Sequence, residues 1–595
     1  MQARDQSVRL IDFQSLSLFR IAFAGFLLGH FYFVDRVDYA VFYGESGLVP
    51  FATLVQEDFL GFSVIAPVLR ASETIGLPTL LRVLLPLALV AFALGYRTRW
   101  ANAVAYVFES YLHWRNPSVN SGAEVLAHLL LLWCLFLPLD RYWSIDAALD
   151  PRPRDRAFPL LPVLALRLQI ASLYVFPALY KIASSAWIEG TAVQWSLADN
   201  IFGGRPAGLF LIAHAAPLLV VVNYATIALQ LALPFLVYWP QHNDLTRGFA
   251  LGAAVMMHMS FIFCMTIGPF PYVSLVALVP LVPDAWIAGV LRRRRVRLGG
   301  VVIFFEPGCG FCEKISLLLR EFLLSPTSPV LPAEADGEAL RLLRAHNSWV
   351  VRDAEGGLRL KSAGMAYLLR QNPLLAPFGW LLARWPADWL YDAIGARRKQ
   401  LSLVTSVVLA VRTPPPIGRT ANALCGALAL LALAANVTDL RPPAFISSGP
   451  SPLRFTERTP VWLTLLAVDA QVWQRWPLFA PPPHWQRAYR ITTTAADGAR
   501  FDLMARLSDP WFRSTPEGRV VFSDARWLKY FTQFDVLGSG DWRAFGAYLC
   551  RVAQAVRPGT AAVASIELSS DTRPWDTTPA DGMPPDQHRS FTCQN

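Results

Sequence analysis

The stretch Leu173–Trp195, LYVFPALYKIASSAWIEGTAVQW, begins as an apolar helix, reaches a lysine at position 181, then turns through small residues to Trp187, Glu189 and Gly190. An apolar run that ends on a lysine reads as a membrane helix. The charged group there either snorkels to the headgroups or faces a polar interior. Which of the two holds for Lys181 depends on what the rest of the chain carries at the same depth.

Composition supports the membrane reading. Of 595 residues, 54% are hydrophobic and 16% charged, with a mean hydropathy of +0.36, whereas a soluble protein carries about 25% charge. Apolar runs lie at about 14–34, 77–96, 100–116, 122–140, 159–181, 207–238, 247–267 and 270–289, near the ~20 residues that cross a bilayer as a helix. The sixth is long enough to be tilted, broken or preceded by a re-entrant piece. No small-residue cleavage site follows the first run, so a cleaved signal peptide is not expected.

The net charge of +10 is mostly arginine beside helix ends, which reads as topology and not as nucleic-acid binding. Alternating the spans from an inside N-terminus puts Arg4, Arg9, Arg97, Arg99, Arg141, Arg152, Arg154, Arg156, Arg247 and Arg292 to Arg295 on one face. Arg36, Arg70, Arg115 and Arg205 fall on the other. That is the positive-inside asymmetry.

On this map most ionisable groups of the membrane part fall in the outer leaflet. His30 ends span one, Glu109 and His113 share a face of span three, and Glu124 and His128 share a face of span four. His214 starts span six, His258 lies inside span seven, and Lys181 ends span five. Convergence of these groups on one cavity around Lys181 is the expectation. A desolvated lysine can act there as a general base. Two Glu/His pairs could instead hold a metal, but the Glu-x-x-x-His spacing departs from the Glu-x-x-His of di-iron bundles, so a metal is not expected. Each member alone also has a plain reading as a buried hydrogen-bonding group.

The segment Tyr180-Lys181-Ile182 followed by Trp187-Ile188-Glu189-Gly190 resembles the lysine–tryptophan–glutamate–glycine segment of the vitamin K-dependent gamma-carboxylase family. The preceding Asp140-Arg141-Tyr142-Trp143-Ser144-Ile145-Asp146 looks like the RYWSxD loop found upstream of it there. Leu18-Phe19-Arg20-Ile21 and Gly47-Leu48-Val49-Pro50 are similar to bacterial members of the wider HTTM superfamily. The resemblance covers about residues 10–290. It implies a base at Lys181 acting on a quinol-like substrate, with quinone or hydroquinone as the ligand and a bacterial inner membrane as the location. This sequence has one more residue between the lysine and the tryptophan than that family, and no evident match to its propeptide- and glutamate-binding parts.

At Leu298 the chain changes character. Gly299–Phe305 reads as a buried strand that delivers Cys309-Gly310-Phe311-Cys312 to a helix at Glu313–Leu324. A strand feeding C-x-x-C into a helix N-terminus is a thioredoxin-type redox arrangement, with Cys309 as nucleophile and Cys312 as resolving thiol. Zinc would need two more ligands, and His346 stands alone. Residues 299–400 resemble the DCC (DUF393) thiol-oxidoreductase family through Cys309–Cys312, Trp389-Leu390-Tyr391-Asp392 and Arg397-Arg398. The acidic residue that the family writes just before the first cysteine is displaced here to Glu306, and no clear proline faces the dithiol.

Leu401–Val411 is apolar but too short to span, Pro414 to Pro416 break it, and Thr420–Val437 reads as a ninth crossing. The remainder would then lie outside. Its Trp- and Pro-rich segment Gln471–Pro481 is expected to rest on the bilayer surface. Tyr489–Thr494 and Phe501–Leu507 read as a hairpin through Asp497-Gly498, and Ser565–Leu568 as a further strand. Cys550 and Cys593 would pair only in an oxidising compartment, which sequence leaves open. Cys134, Cys264 and Cys425 read as packing residues.

The expected architecture is a mostly α polytopic membrane protein with about eight helices plus a ninth. It carries a small α/β thioredoxin-like domain and a C-terminal α+β soluble domain. The boundaries are 1–298, 299–400, 401–440 and 441–595. The N-terminus and the C-x-x-C domain are placed in the cytoplasm and the C-terminal domain outside. The expected function is quinol chemistry, with Lys181 as base, the dithiol as a redox module, and His30, Glu109, His113, Glu124, His128, His214, Trp187 and Glu189 holding the substrate. Membrane lipid and quinone are the expected partners. The alternatives are a maturation factor for a secreted peptide or protein, and a scaffold whose only active site is the C-x-x-C.

Overall fold

The computed structural model describes residues 13–51, 65–152, 160–199, 202–239, 243–410, 418–438, 440, 461–474, 476–480, 482, 485–514, 520–532, 539–557, 559, 561–574 and 586–593. Arg4, Arg9, Arg154, Arg156 and Pro414 to Pro416, named above, lie outside them, as does the beginning of the C-terminal part.

Every apolar run forms a helix. They are α1 (Phe13–His30), α2 (Leu77–Leu94), α3 (Thr98–Arg115), α4 (Gly122–Cys134), α5 (Leu160–Ile182), α6 (Ala216–Tyr238), α7 (Asn243–Cys264) and α8 (Phe270–Leu278). The run 207–238 is broken at Ala215, so a short helix, Pro206–His214, precedes α6. Among the described residues six helices are long and apolar enough to cross a membrane: Phe13–Asp35, α2, α5, α6, most of α7, and Arg419–Thr438. Six of the nine expected crossings thus meet that measure among the described residues. α4 has 13 residues, Phe270–Leu281 is likewise short, and α3 carries Arg99, Glu109 and Arg115. The protein is a multi-pass membrane protein built on this helical bundle.

α1 is gripped at both ends. Near its start Arg20 is fully buried and donates to Leu139 O at 2.9 Å and to Trp143 O. Asp146 of the same loop accepts from the backbone of Arg97 and Thr98, both at 3.0 Å, and so caps the start of α3. Gly95 makes this crossing possible. Its φ is +64°, and a Cβ there would lie 2.2 Å from Ser144 Cβ. At its far end α1 runs on as a π-helical turn, Phe31–Asp35.

The middle part holds a four-stranded sheet in the order β2-β1-β3-β4: β1 (Val302–Phe305), β2 (Val330–Pro332), β3 (Val350–Arg352) and β4 (Leu358–Leu360). β1 runs parallel to β2 and antiparallel to β3, and β3 is antiparallel to β4. Alternation puts Ile303 and Val351 in one core and Phe304 and Val350 in another on the opposite face. α9 (Gly310–Leu323) follows β1. α10 (Ala376–Arg384), α11 (Asp388–Ala396) and α12 (Arg398–Val408) close the domain, and α13 (Arg419–Thr438) re-enters the bundle beside α5. The domain docks on the loop at the start-of-α1 end, where Trp143 N donates to Glu321 of α9 at 2.7 Å.

The C-terminal part forms an antiparallel sheet in the order β10-β9-β5-β6: β5 (Trp485–Ala495), β6 (Arg500–Asp502), β9 (Val563–Pro574) and β10 (His588–Thr592). A hairpin of β7 (Phe512–Ser514) and β8 (Val520–Phe522) stands beside it. The hairpin through Asp497-Gly498 forms, but its second strand stops at Asp502, whose carboxylate accepts from Met504 N at 2.9 Å and starts a helical turn. Helices α14 (Ala525–Thr532) and α15 (Ser539–Val556) pack on these sheets, and Cys550 is disulfide-bonded to Cys593. This part meets the other end of α1: Arg526 pairs with Asp35 and Tyr43, and Arg551 Nη2 donates to Gly47 O at 2.8 Å.

Candidate active site

Lys181 does not snorkel. It is buried on the last turn of α5, donates to Leu478 O at 3.0 Å, and holds its Nζ 4.9 Å from the centre of the Trp187 ring. Among the described residues no carboxylate pairs with it. The carbonyl and the aromatic face are groups that suit an ammonium without neutralising it.

Leu478 belongs to the Trp-rich segment that sequence placed on the bilayer surface. The structure inserts that segment into the bundle instead. Val472 and Trp476 are fully buried, Gln471 Nε2 donates to Ser110 O of α3 at 3.1 Å, and Gln474 and Gln169 of α5 exchange amide hydrogen bonds at 2.8 and 3.3 Å. Gln169 is the reason. A buried amide in a membrane helix needs a partner, and this non-helical segment supplies one; irregular backbone at this depth is tolerated because protein surrounds it. At the segment's end Trp187 Nε1 donates to Phe479 O at 2.6 Å. Leu478 and Phe479 both take positive φ, +28° and +62°, which is strain for non-glycine residues. Their carbonyls are the two that receive Lys181 and Trp187.

Below this roof lies a cavity of about 420 Å³ walled by α5, α6, α7 and the segment 478–479. Its lining on α6 follows a helical face, with Leu218, Val222, Ala225, Thr226 and Leu229. Leu218, Val222 and Met256 line it and are exposed, so it is open on the side of α6 and α7. Few polar groups enter it. Tyr174 hydroxyl and His258 Nε2 are hydrogen-bonded at 3.0 Å, while His258 Nδ1 and Gln230 Oε1 have no hydrogen-bond partner among the described residues.

The expected convergence around Lys181 is not what the structure builds. His30, Glu109, His113, Glu124 and His128 do not line the cavity. His30 bridges Asp35 (3.1 Å) and Glu124 (3.2 Å) at the end of α1, Glu124 also closes the capping box of α4 with Ser121, and Arg526 completes this buried charge network. The His113 and His128 rings pack 5.2 Å apart, and both ring nitrogens of His128 lack a hydrogen-bond partner among the described residues. His214 is exposed and stacks on Phe210. Glu189 is exposed too, while Trp187 is buried against the lysine. The polar groups share an end of the bundle, but helix faces separate them into a lysine cavity and a carboxylate–histidine network.

Reasoning from sequence counted His258, which lines the cavity, among the groups converging on Lys181, but assigned no site role to Tyr174, Gln230, Asp35, Tyr43 or Arg526. Tyr174 and Lys181 are seven residues apart, which puts them on one helix face. That spacing was the available sign.

The second centre is Cys309–Cys312, joined as a disulfide at the N-terminus of α9, with Cys312 N donating to Cys309 Sγ at 3.2 Å. A Glu306 carboxylate oxygen and the two sulfurs lie within 4.8 Å of one another. With the sulfurs bonded together, neither is a thiolate that could ligate a metal. Arg398 of α12 pairs with Glu306 and also donates to Asn347 Oδ1 at 2.8 Å.

Residues 8–286 match the HTTM domain family. The uncharacterized protein YitO of Bacillus subtilis (strain 168) is 25% identical over 179 residues, which cover 29% of this chain and 57% of that protein. The match thus spans little more than half the length of that relative. No solved structure matches the chain.

Proposed function

From the premise that its membrane half is an HTTM domain, we propose that this protein is a membrane enzyme acting on a quinol-like, lipid-soluble substrate, with Lys181 as the base. One observation carries the reading: a buried lysine, without a carboxylate partner among the described residues, lines an apolar cavity between α6 and α7, two of the helices long and apolar enough to cross a membrane. Side entry between α6 and α7 suits a substrate that arrives through the bilayer. Tyr174 and Lys181, seven residues apart on α5, are separated by roughly 10 Å along the helix axis. That is about the length of a ring with two para oxygens and a hydrogen bond at each end. Lys181 Nζ takes the proton of one hydroxyl, leaving a quinolate. Leu478 O and the Trp187 face then hold the ammonium. The Tyr174–His258 pair and Gln230 receive the other oxygen.

The Cys309–Cys312 pair is the redox module of this proposal. The sheet order β2-β1-β3-β4, with C-x-x-C following β1, supports a thioredoxin-like domain of the DCC type. In exchange with a disulfide substrate, the Cys309 thiolate attacks one sulfur and expels the other as thiolate. Cys312 then gives its proton to Glu306 and displaces the substrate from Cys309, which restores the intramolecular disulfide. This centre and Lys181 belong to opposite ends of the bundle. The docking of the two soluble parts at opposite ends of α1, and the Cys550–Cys593 bond, favour a cytoplasmic C-x-x-C domain and a C-terminal part outside.

The test is consumption of a naphthohydroquinone by the full-length protein in aerated nanodiscs, with dissolved dioxygen as the oxidant that takes the electrons of the quinolate, and with quinone extraction of the purified protein alongside. Loss of turnover in Lys181→Ala, with quinol binding retained in Cys309→Ser, is the expected result. If Lys181→Ala stays active while Cys309→Ser is dead, the dithiol is the working site and the base assignment fails.

A further inference from the structure

One face of the C-x-x-C domain is covered by nothing in the described chain. Around α10, α11 and α12 large apolar side chains turn outward: Leu374 is 85% exposed, Trp380 65%, Trp385 67%, Trp389 72%, Leu403 73% and Val407 70%. α12 is two-sided at helical spacing. Its Arg398 pairs with Glu306 beside the disulfide, and Thr405 O accepts from Lys314 Nζ at 3.0 Å, while Leu403 and Val407 point away. Six large apolar side chains left this exposed on or beside consecutive helices of one domain mark an interaction site.

Charge and position say what covers it. Apart from Arg398, which Glu306 holds, the chain from Arg370 to Lys399 carries four basic residues (Arg370, Arg384, Arg397, Lys399) against Asp388 and Asp392. Both acids are engaged, with Ser362 and Lys361. The face also continues the lipid-facing wall of the bundle. Tyr96, just past the end of α2, donates to Val408 O at 2.9 Å, and Leu94 and Trp100 beside it are exposed.

We propose that α10–α12 lie on an anionic bilayer surface, with the three tryptophans at headgroup level and the flanking arginines among the phosphates. α12 then sits between lipid and disulfide, and the Cys309–Cys312 pair opens at the membrane rim. This stands independently of the Lys181 reading.

The experiment uses the full-length protein in nanodiscs with and without phosphatidylglycerol. Leu403→Cys and Val407→Cys, each with Cys264→Ser and both disulfides intact, carry an environment-sensitive fluorophore. Glu338→Cys, exposed on the opposite side of the sheet, is the control. Brominated lipid is expected to quench the first two at least roughly threefold more than the control, and more strongly when anionic lipid is present. Quenching equal to the control overturns the proposal. So does blue-shifted emission that brominated lipid leaves untouched, because a protein partner would then cover the face. If Leu403→Cys disturbs α12, Val407→Cys decides. Trp385→Glu combined with Trp389→Glu, remote from the disulfide contacts, should roughly halve the quenching at Leu403→Cys; an unchanged value overturns the proposal as well.

Discussion

Arg526 of α14 is ion-paired with Asp35 at the end of α1, and both side chains are all but inaccessible to solvent. The pair joins the C-terminal part to the first membrane helix across nearly five hundred residues of chain, and Asp35 also accepts from His30 at 3.1 Å.

Removing one member leaves the other buried and uncompensated. Arg526→Met is expected to destabilise the protein by about 3–5 kcal/mol, read as a lowered thermal midpoint and faster proteolysis of the C-terminal part. Arg526→Met combined with Asp35→Asn should lose less than the sum of the two single changes. Strict additivity would show that the pair carries no coupling.

Lys181→Met keeps the apolar volume of the side chain and removes the base. Turnover of the hydroquinone should fall by roughly 10²–10⁴ with the thermal midpoint little changed. Lys181→Arg should not rescue it, because a guanidinium stays protonated.

Gly190 has φ +82°, and a Cβ there would lie 3.1 Å from Val220 Cγ1 and 3.2 Å from the Tyr224 hydroxyl, which itself donates to Ile188 O. Gly190→Ala should therefore lower stability by about 1–2 kcal/mol through the left-handed backbone alone, measured by thermal unfolding. Tyr224→Phe, which removes only the hydrogen bond, should have a smaller effect.

Glu306→Gln leaves a hydrogen-bonding group beside the disulfide but no proton acceptor. Reoxidation of the reduced C-x-x-C by a model disulfide should slow by roughly tenfold or more, with the slowing greatest below neutral pH. A rate equal to that of the parent protein would remove Glu306 from the exchange.

Burial disfavours ionisation of Asp353, yet the Gly357 N–H (2.6 Å) and the Arg359 guanidinium (2.7 Å) outweigh it and hold the carboxyl below its ordinary range. A lowered folded-state value gives stability that is present above the unfolded value, ~3.9, and lost as pH falls through the folded one. Melting of the C-x-x-C domain should therefore drop from about pH 5 downward. Asp353→Asn should start lower and flatten that slope.

The helices and the C-x-x-C strand-to-helix turn were legible because apolar periodicity and cysteine spacing are local properties. The contact of Lys181 with Leu478 was not, since the two are separated by 297 positions. The tryptophans of the 471–480 segment pointed to a surface, and the groups that hold it at depth, Gln169, Ser110, Lys181 and Trp187, lie hundreds of positions away. Histidines and carboxylates at one level of the bundle looked like one site. Their division depends on helix rotation, which a single sequence does not specify.

α1 is a continuous rod whose start is held by the carbonyls of Leu139 and Trp143 and whose extension ends at Asp35 under Arg526. A load on the loop that carries the C-x-x-C domain and a load at Asp35 are therefore borne by one and the same helix. The two soluble parts are thus anchored on one shared membrane helix, the C-x-x-C domain through the loop at its start and the C-terminal part through Asp35.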